Sequence, residues 1–321
     1  MATKLNSRQT KDMLLRSLLW GAAALSVAVL VIIVGYIFYK GISYINIDFI
    51  FGDYNPSGGG GIFPMIVTTI LMIVISLLIA TPIGILAAVY LQEYAKQGRM
   101  VRIIRYATES LTGIPSIIYG LFGAVFFVIY LKLGMSIIAA SLTVSIIVLP
   151  VIIRTTEEAL KTVPQSYREG SLALGTTKLQ TLYKVILPSA MPGILSGVIL
   201  SIGRIVGESA AIFLTAGTVA AMPDSIFSSA RTLTVHSYLV TQESGDIGLA
   251  AAIGIVLIAI ILCLNLTISE PQRPQPKTLT IAPLRFSSFI SSIFFIIILL
   301  LFTCAVFTSH LPLFTPIYPY L

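Results

Sequence analysis

Seven stretches of the chain are apolar without a regular polar interruption, near 17–39, 64–91, 106–131, 135–153, 192–216, 248–268 and 286–308. An α-helix rises 1.5 Å per residue, so about 20 such residues cover a hydrocarbon layer of about 30 Å. In a bilayer every backbone amide must be paired internally. Continuous apolar runs therefore predict helical spans, whereas barrel strands would alternate in polarity. The predicted fold class is all-α, a polytopic helical membrane protein. The fifth run is the least regular, because Arg204 and Glu208 fall inside it.

Three polar segments between the runs are longer than simple turns. Residues 40–63 end in four glycines, Gly58 to Gly61, before Pro64, which suits the first turn of the next helix. Residues 154–191 concentrate charge and read as three helical pieces: Thr155 to Val163, Gln165 through Leu174 to Gly175, and Lys178 to Leu187. Pro164 stops one helix, Gly175 permits a turn and Pro188 opens the next element. Residues 217–247 carry turn signals at Pro223 and Asp224 and between Gln242 and Asp246. Their middle, Ile226 to Val240, is too short and polar to cross, and is expected to dip back or lie along the surface. Glu270 to Lys277 is a proline-rich polar linker. Pro82 with Gly84, and Pro115 after Gly113, predict kinks in the second and third spans.

Composition agrees with lipid as the main solvent. Of 321 residues, 56% are hydrophobic and 10% charged, and the mean hydropathy is +0.97. The net charge of +7 changes the picture only through its placement. With the N-terminus in the cytoplasm, sixteen cations fall in inner segments, among them Lys4, Arg8, Lys96, Arg99, Arg102, Arg105, Arg154, Lys161, Arg168, Lys178, Arg273 and Arg285. Three, Lys40, Lys132 and Arg231, fall outside. This is a positive-inside distribution, and the basic balance reports orientation. No basic face with base-reading partners is present, which excludes a nucleic-acid partner. The first run follows a basic stretch but is too long for a signal peptide and lacks a cleavage site, so it reads as a retained anchor. Cys263 and Cys304 fall within apolar spans and mark neither a disulfide framework nor a metal site. His236 and His310 read as surface or packing residues rather than metal ligands. No paired aspartates, HExxH, or Ser with a nearby His lies inside a span, so an intramembrane enzyme is not indicated.

Two features carry candidate chemistry. Glu169, Gly170 and Ser171 are followed after three residues by Gly175, and after nine more by Val185, Ile186, Leu187 and Pro188. A helix that seats in a groove needs a small face and a residue where the chain can reverse, and Gly170, Ser171 and Gly175 supply both. Gly170 and Gly175 also have phosphate-loop spacing, but Thr176 and Thr177 stand where Lys and Ser/Thr are required, so the chain is not expected to hydrolyse ATP. The second feature is Arg204 and Glu208, positioned to pair at i and i+4 on one helix face. An ionisable group at membrane depth costs at least a few kcal/mol and normally faces protein or water. A guanidinium suits a phosphate ion, which it binds through two oxygens at once. A salt bridge that only packs the bundle is the alternative. Gly203 and Gly207 in the same segment allow close helix approach or an opening.

The 169–188 spacing resembles the EAA loop of ABC-importer permeases, with Gly170 and Ser171 in place of two alanines and Val185 in place of isoleucine. Further stretches resemble the A-type permease subunit of the bacterial phosphate-specific ABC importer: Gly60 to Pro64, Ala87 to Ala95, Gly113 to Gly123, Arg204 to Gly217 and Thr232 to His236. The resemblance implies a type I ABC importer permease fold with an N-terminal extra span. It also implies that Glu169, Gly170, Ser171 and Gly175 couple to an ATPase, while Arg204 and Glu208 line the translocation path. The expected partners are a C-type permease subunit, two cytoplasmic ATPase subunits that hold ATP-Mg, an external phosphate-binding protein and membrane lipid. No cofactor is expected in this chain, and the expected location is the bacterial cytoplasmic membrane.

On this reading, residues 1–63 form the N-terminal segment, first span and outer loop, and 64–268 the permease core. Residues 269–285 form a cytoplasmic linker, and 286–321 a seventh span and tail that depart from the family pattern. The alternatives are a permease for another oxyanion, molybdate or sulfate, or a secondary transporter working without an ATPase.

Overall fold

The computed structural model describes residues 7–55 and 60–269. The polar linker from Glu270 to Lys277 and the seventh apolar run, with Cys304 and His310, lie outside the described residues.

Among the described residues, five helical segments are long and apolar enough to cross a membrane: Met13–Tyr44, Phe63–Tyr94, Ile137–Thr162, Lys178–Val206 and Ile247–Leu266. In chain order the helices are α1 (Ser7–Gly41), α2 (Ile47–Phe51), α3 (Phe63–Val89), α4 (Arg99–Thr112), α5 (Ser116–Gly123), α6 (Ile137–Thr162), α7 (Gln165–Ala173), α8 (Lys178–Thr181), α9 (Leu187–Val206), α10 (Ala210–Ala216), α11 (Leu233–Glu243) and α12 (Ile247–Ser269). Wider π turns extend α3 through Tyr90–Tyr94, extend α5 through Ala124–Tyr130, and join α8 to α9 through Leu182–Ile186.

Two boundaries differ from the sequence expectation, each for a local reason. The third span is not one helix over 106–131. It is a pair, Arg99–Thr112 and Ser116–Tyr130, bent by 97°. Pro115 has no N–H to donate and disfavours helical backbone at Ile114, so α4 stops and the chain turns. The first member is held against α6 by Arg105, whose Nε lies 3.1 Å from the Glu157 carboxylate. Residues 155–162 are not a separate piece but the last turns of α6, which ends just before Pro164. Pro188 stands in the first turn of α9, as expected, where its missing N–H is tolerated. The π turn Leu182–Ile186 before it joins α8 to α9 within the continuous segment Lys178–Val206. Pro82 sits inside the unbroken α3.

The centre of the bundle is α6, with α3 on one side and α9 on another; α12 packs against α1, α9 and α11. Met72, Ile73, Val144, Val148, Ile152, Ile202 and Ile205 fill the core between the central helices. Lipid removes the hydrophobic drive for helix association, so close packing and interhelical hydrogen bonds hold spans together. Both occur here. Ser76 Oγ donates to the Ser141 carbonyl at 3.2 Å, and Ser145 Oγ donates back to the Ser76 carbonyl at 3.1 Å, which locks α3 to α6. On α9, Gly197 lies so near Thr155 of α6 that any β-carbon would collide with it. Outward-facing side chains such as Leu78, Leu86, Leu262 and Leu266 stay exposed, as a lipid-facing surface requires.

Candidate coupling loop and translocation path

At one end of the bundle α7 stands between α6 and α8. It begins after Pro164, whose extended backbone (ψ 140°) ends the preceding helix. It closes at Gly175, where φ of +79° is a left-handed conformation that glycine adopts without strain. The Gly175 N–H donates to the Leu172 carbonyl at 2.9 Å. The turn is stiffened by three hydroxyls: Ser171 lies 2.8 Å from Thr176 and 3.1 Å from Thr181, and those two are 2.9 Å apart. Thr177 and Gln180 then form a reciprocal capping box that starts α8.

Ser171 thus faces inward and builds the turn, while Glu169 and Gly170 face away from the bundle and are exposed. A β-carbon at Gly170 would meet nothing within 4 Å, so no contact inside the chain requires a small residue there. Tyr167, Leu172 and Leu174 of the hairpin and Leu179 and Tyr183 after it are also exposed, Leu174 to 86%.

Sequence reasoning did not single out the residues that anchor this hairpin. Arg168 Nη2 lies 2.8 Å from Glu93 Oε1, with both side chains largely buried. The same guanidinium donates to the carbonyls of Val163 (2.8 Å) and Leu160 (3.0 Å), the last acceptors of α6. Lys178 Nζ donates to the Glu93 backbone carbonyl and sits 4.8 Å from the centre of the Tyr94 ring. The available signal was a lone carboxylate at the end of an apolar span and an arginine beside Glu169.

Arg204 and Glu208 do not form the expected pair. α9 ends at Val206, Gly207 and Ser209 interrupt the helix, and α10 starts at Ala210. The interruption removes the i, i+4 geometry on which pairing depends. Glu208 is buried, and its Oε1 accepts from the Ala211 N–H at 3.2 Å, capping α10. Arg204 remains in the last turn of α9, its Nε buried and without a hydrogen-bond partner among the described residues. A β-carbon at Gly203 would meet nothing within 4 Å, so the face of α9 at Gly203 is unpacked.

The segment after α10 closes over this break. Thr234 Oγ1 donates to the Val206 carbonyl at 3.1 Å, and the Leu233 N–H donates to Thr69 Oγ1 at 3.0 Å. Arg231 donates through Nε to the Thr218 carbonyl at 2.8 Å, lies over the Tyr54 ring, and places Nη1 3.2 Å from His236 Nδ1. His236 is buried against the edge of Tyr54. Burial first, and the Arg231 charge second, push its pKa from 6.5 down to about 4, which keeps it neutral. It is a packing residue, as expected, but a fully enclosed one. Among the described residues no group of three or more His, Cys, Asp or Glu could hold a metal ion.

Several crossing helices around a central α6, a hairpin projecting from one end, and an arginine Nε at a helix break without a partner among the described residues define a polytopic helical membrane protein. The family model described as binding-protein-dependent transport system inner membrane component matches residues 80–269, more than half of the sequence, and the chain belongs to that family. It is 34% identical over 278 residues to a probable ABC transporter permease protein, YqgI, of Bacillus subtilis, covering 81% of this chain and 94% of that protein. It is 33% identical over 210 residues to the phosphate transport system permease protein PstA 1 of Mycobacterium tuberculosis (64% of this chain, 68% of that one). With the phosphate transport system permease protein PstA of Pasteurella multocida the identity is 38% over 179 residues (55% and 63%).

Among solved structures, a bacterial alginate ABC transporter superposes with a TM-score of 0.56 at 16% identity, covering 82% of this chain and 93% of that one. The MetNI methionine ABC transporter in an inward-facing conformation gives 0.50 at 19% identity (65% and 91%). These two establish the fold alone. The chain is the transmembrane permease component of an ABC importer.

Proposed function

We propose that the substrate is inorganic phosphate and that this chain is the A-type permease of a phosphate import complex. The observation that carries the proposal is Arg204: a permanent cation in the last turn of a spanning helix, with a buried Nε left unpartnered because Glu208 is used elsewhere. An uncompensated guanidinium at such depth is costly unless an anion or water meets it, and a tetrahedral oxyanion can accept two of its N–H groups. The relatives named as phosphate permeases support the same choice.

In this reading α7 is the coupling helix. The exposed tip around Glu169 and Gly170 seats on a separate ATPase subunit, which holds the ATP-Mg, and Ser171 and Gly175 keep the hairpin rigid. A second, C-type permease completes the path, and an external binding protein delivers phosphate to the end where α11 closes over the break. The cation distribution supports a cytoplasmic hairpin end and a cytoplasmic N-terminus.

The test is uptake of labelled phosphate into proteoliposomes containing the full complex, with and without ATP and with sulfate or molybdate as competitor. Phosphate uptake that requires ATP and resists both competitors is expected. Competition by sulfate or molybdate would reassign the substrate, and flux without ATP would reassign the energy source.

A further inference from the structure

The hairpin does not rest flush on the bundle. Between α7 and the ends of α3 and α6 lies a cleft of about 630 Å³, lined by Gln92, Lys161, Gln165, Leu172, Thr181 and Ile186 among others. A force applied at the tip of α7 therefore cannot reach α3 through packed side chains across that gap. It has covalent routes at both ends of α7, through Pro164 into α6 and through the turn at Gly175 into α8 and α9. Its direct routes to the end of α3 are the bridges that Arg168 and Lys178 make to Glu93.

Arg168 is the point where three helices meet. It fastens the first turns of α7 to the last carbonyls of α6 at Leu160 and Val163, and to the Glu93 carboxylate at the end of α3. Lys178, in the first turn of α8, grips the same residue of α3 through the Glu93 carbonyl. Glu93 lies in the π turn Tyr90–Tyr94, whose widened backbone carries it under the hairpin. The Arg168–Glu93 pair is charge-assisted, largely buried, and spans 75 residues of sequence. A buried pair of this kind holds a fixed direction and distance, where an exposed one would fluctuate and be screened.

We propose that Glu93 and Arg168 are positioning residues for transport: a strut that forces α3 to follow the stroke delivered at α7. Without it the stroke reaches the end of α3 only indirectly, through α6 and the Lys178 contact, and part of each ATP-driven stroke is lost before the two walls of the path move together. This rests on the reading of α7 as the coupling helix. It predicts a defect in the yield of transport per ATP, not in docking, because neither residue lies on the exposed tip.

The experiment uses the full complex in proteoliposomes and measures substrate moved per ATP hydrolysed for Glu93→Gln, Glu93→Asp and Arg168→Lys. Glu93→Gln is expected to co-purify with the ATPase and to keep ATP turnover within about twofold, while transport per ATP falls about fivefold or more, as loss of a charge-assisted bond would give. Arg168→Lys, which keeps the charge but cannot reach both α6 carbonyls and the carboxylate, should fall less. Glu93→Asp should recover part of the yield. An unchanged ratio in Glu93→Gln or Arg168→Lys overturns the proposal, and so does loss of assembly in both, which would make the pair a folding element.

A wild-type complex that moves no phosphate would sink the substrate reading alone. The strut is then read through Tyr90→Cys, exposed in the π turn that ends α3, with Cys263 and Cys304 replaced by Ser. Its thiol reactivity should change with ATP when Glu93 is present and stay constant in Glu93→Gln. A response to ATP that Glu93→Gln leaves intact overturns the strut.

Discussion

The Glu208 carboxylate accepts a hydrogen bond from the Ala211 N–H at 3.2 Å, and so caps the helix after it instead of neutralising Arg204 in the helix before it. Separation of these two charges by a helix break gives them different jobs. Glu208 stabilises the break, while Arg204 is left to interact with something that is not Glu208.

Arg204→Ala should therefore lower uptake sharply while assembly persists. A charged hydrogen-bond donor contributes about 1.5–3 kcal/mol, so phosphate uptake at subsaturating concentration should fall about 10- to 100-fold. Glu208→Ala should instead lower thermal stability by about 1 kcal/mol through loss of the cap. If the two residues act separately, the double variant's destabilisation should equal the sum of the single values within about 0.5 kcal/mol. Strong coupling in that cycle would show a pair after all.

Gly170→Leu should separate docking from folding. Nothing within 4 Å would meet the new side chain, so the melting temperature of the chain should be unchanged. Co-purification with the ATPase should be lost if the tip seats in a groove. Gly175→Ala acts differently, because φ of +79° costs an L-residue about 1–2 kcal/mol, and it should weaken the hairpin itself.

Two glycines of α9 should give opposite results. Gly197→Val would collide with Thr155 and should cost about 1–3 kcal/mol of stability or prevent assembly. Gly203→Ala meets nothing and should be neutral or stabilising by up to about 1 kcal/mol from helix propensity. Thermal denaturation in detergent measures both. A loss of stability in Gly203→Ala would mean that this wall is packed in the assembled bundle.

His236 gives a pH dependence with a defined sign. Its folded pKa, about 4, lies below the ordinary 6.5 because of burial and Arg231. Between those values the unfolded chain binds a proton that the folded chain does not. Its contribution to stability is therefore present above 6.5 and is lost as pH falls toward 4. Replacing it, as in His236→Gln, should flatten the fall in melting temperature between pH 6.5 and 4. An identical fall in the variant would assign the acid sensitivity to other groups.

Much of the architecture was legible in the chain. The runs that became α1, α3, α6, α9 and α12 were visible because crossing length and apolar continuity are properties of a contiguous segment. The α7 hairpin was visible because Pro164, Gly175 and the small residues between them act within a few positions of one another. The break at Gly207 was not. The run 192–216 stays apolar across it, and whether Glu208 pairs backward with Arg204 or caps forward onto Ala211 is a competition that apolar composition does not decide. Pro115 predicts a kink, but the 97° bend also brings Arg105 to Glu157 on another helix, which local sequence does not specify.

By itself the sequence determined that this protein is a bundle of membrane helices with one charged hairpin, because the bilayer imposes a length on every span and the hairpin's turns are encoded locally. Only the tertiary structure decided which charges meet. Arg168 finds Glu93 across 75 residues, and Arg204 is left without Glu208 four residues away. A buried charge is satisfied by whichever partner the packing brings within reach, and that depends on the arrangement of helices in space rather than on the order of residues along the chain.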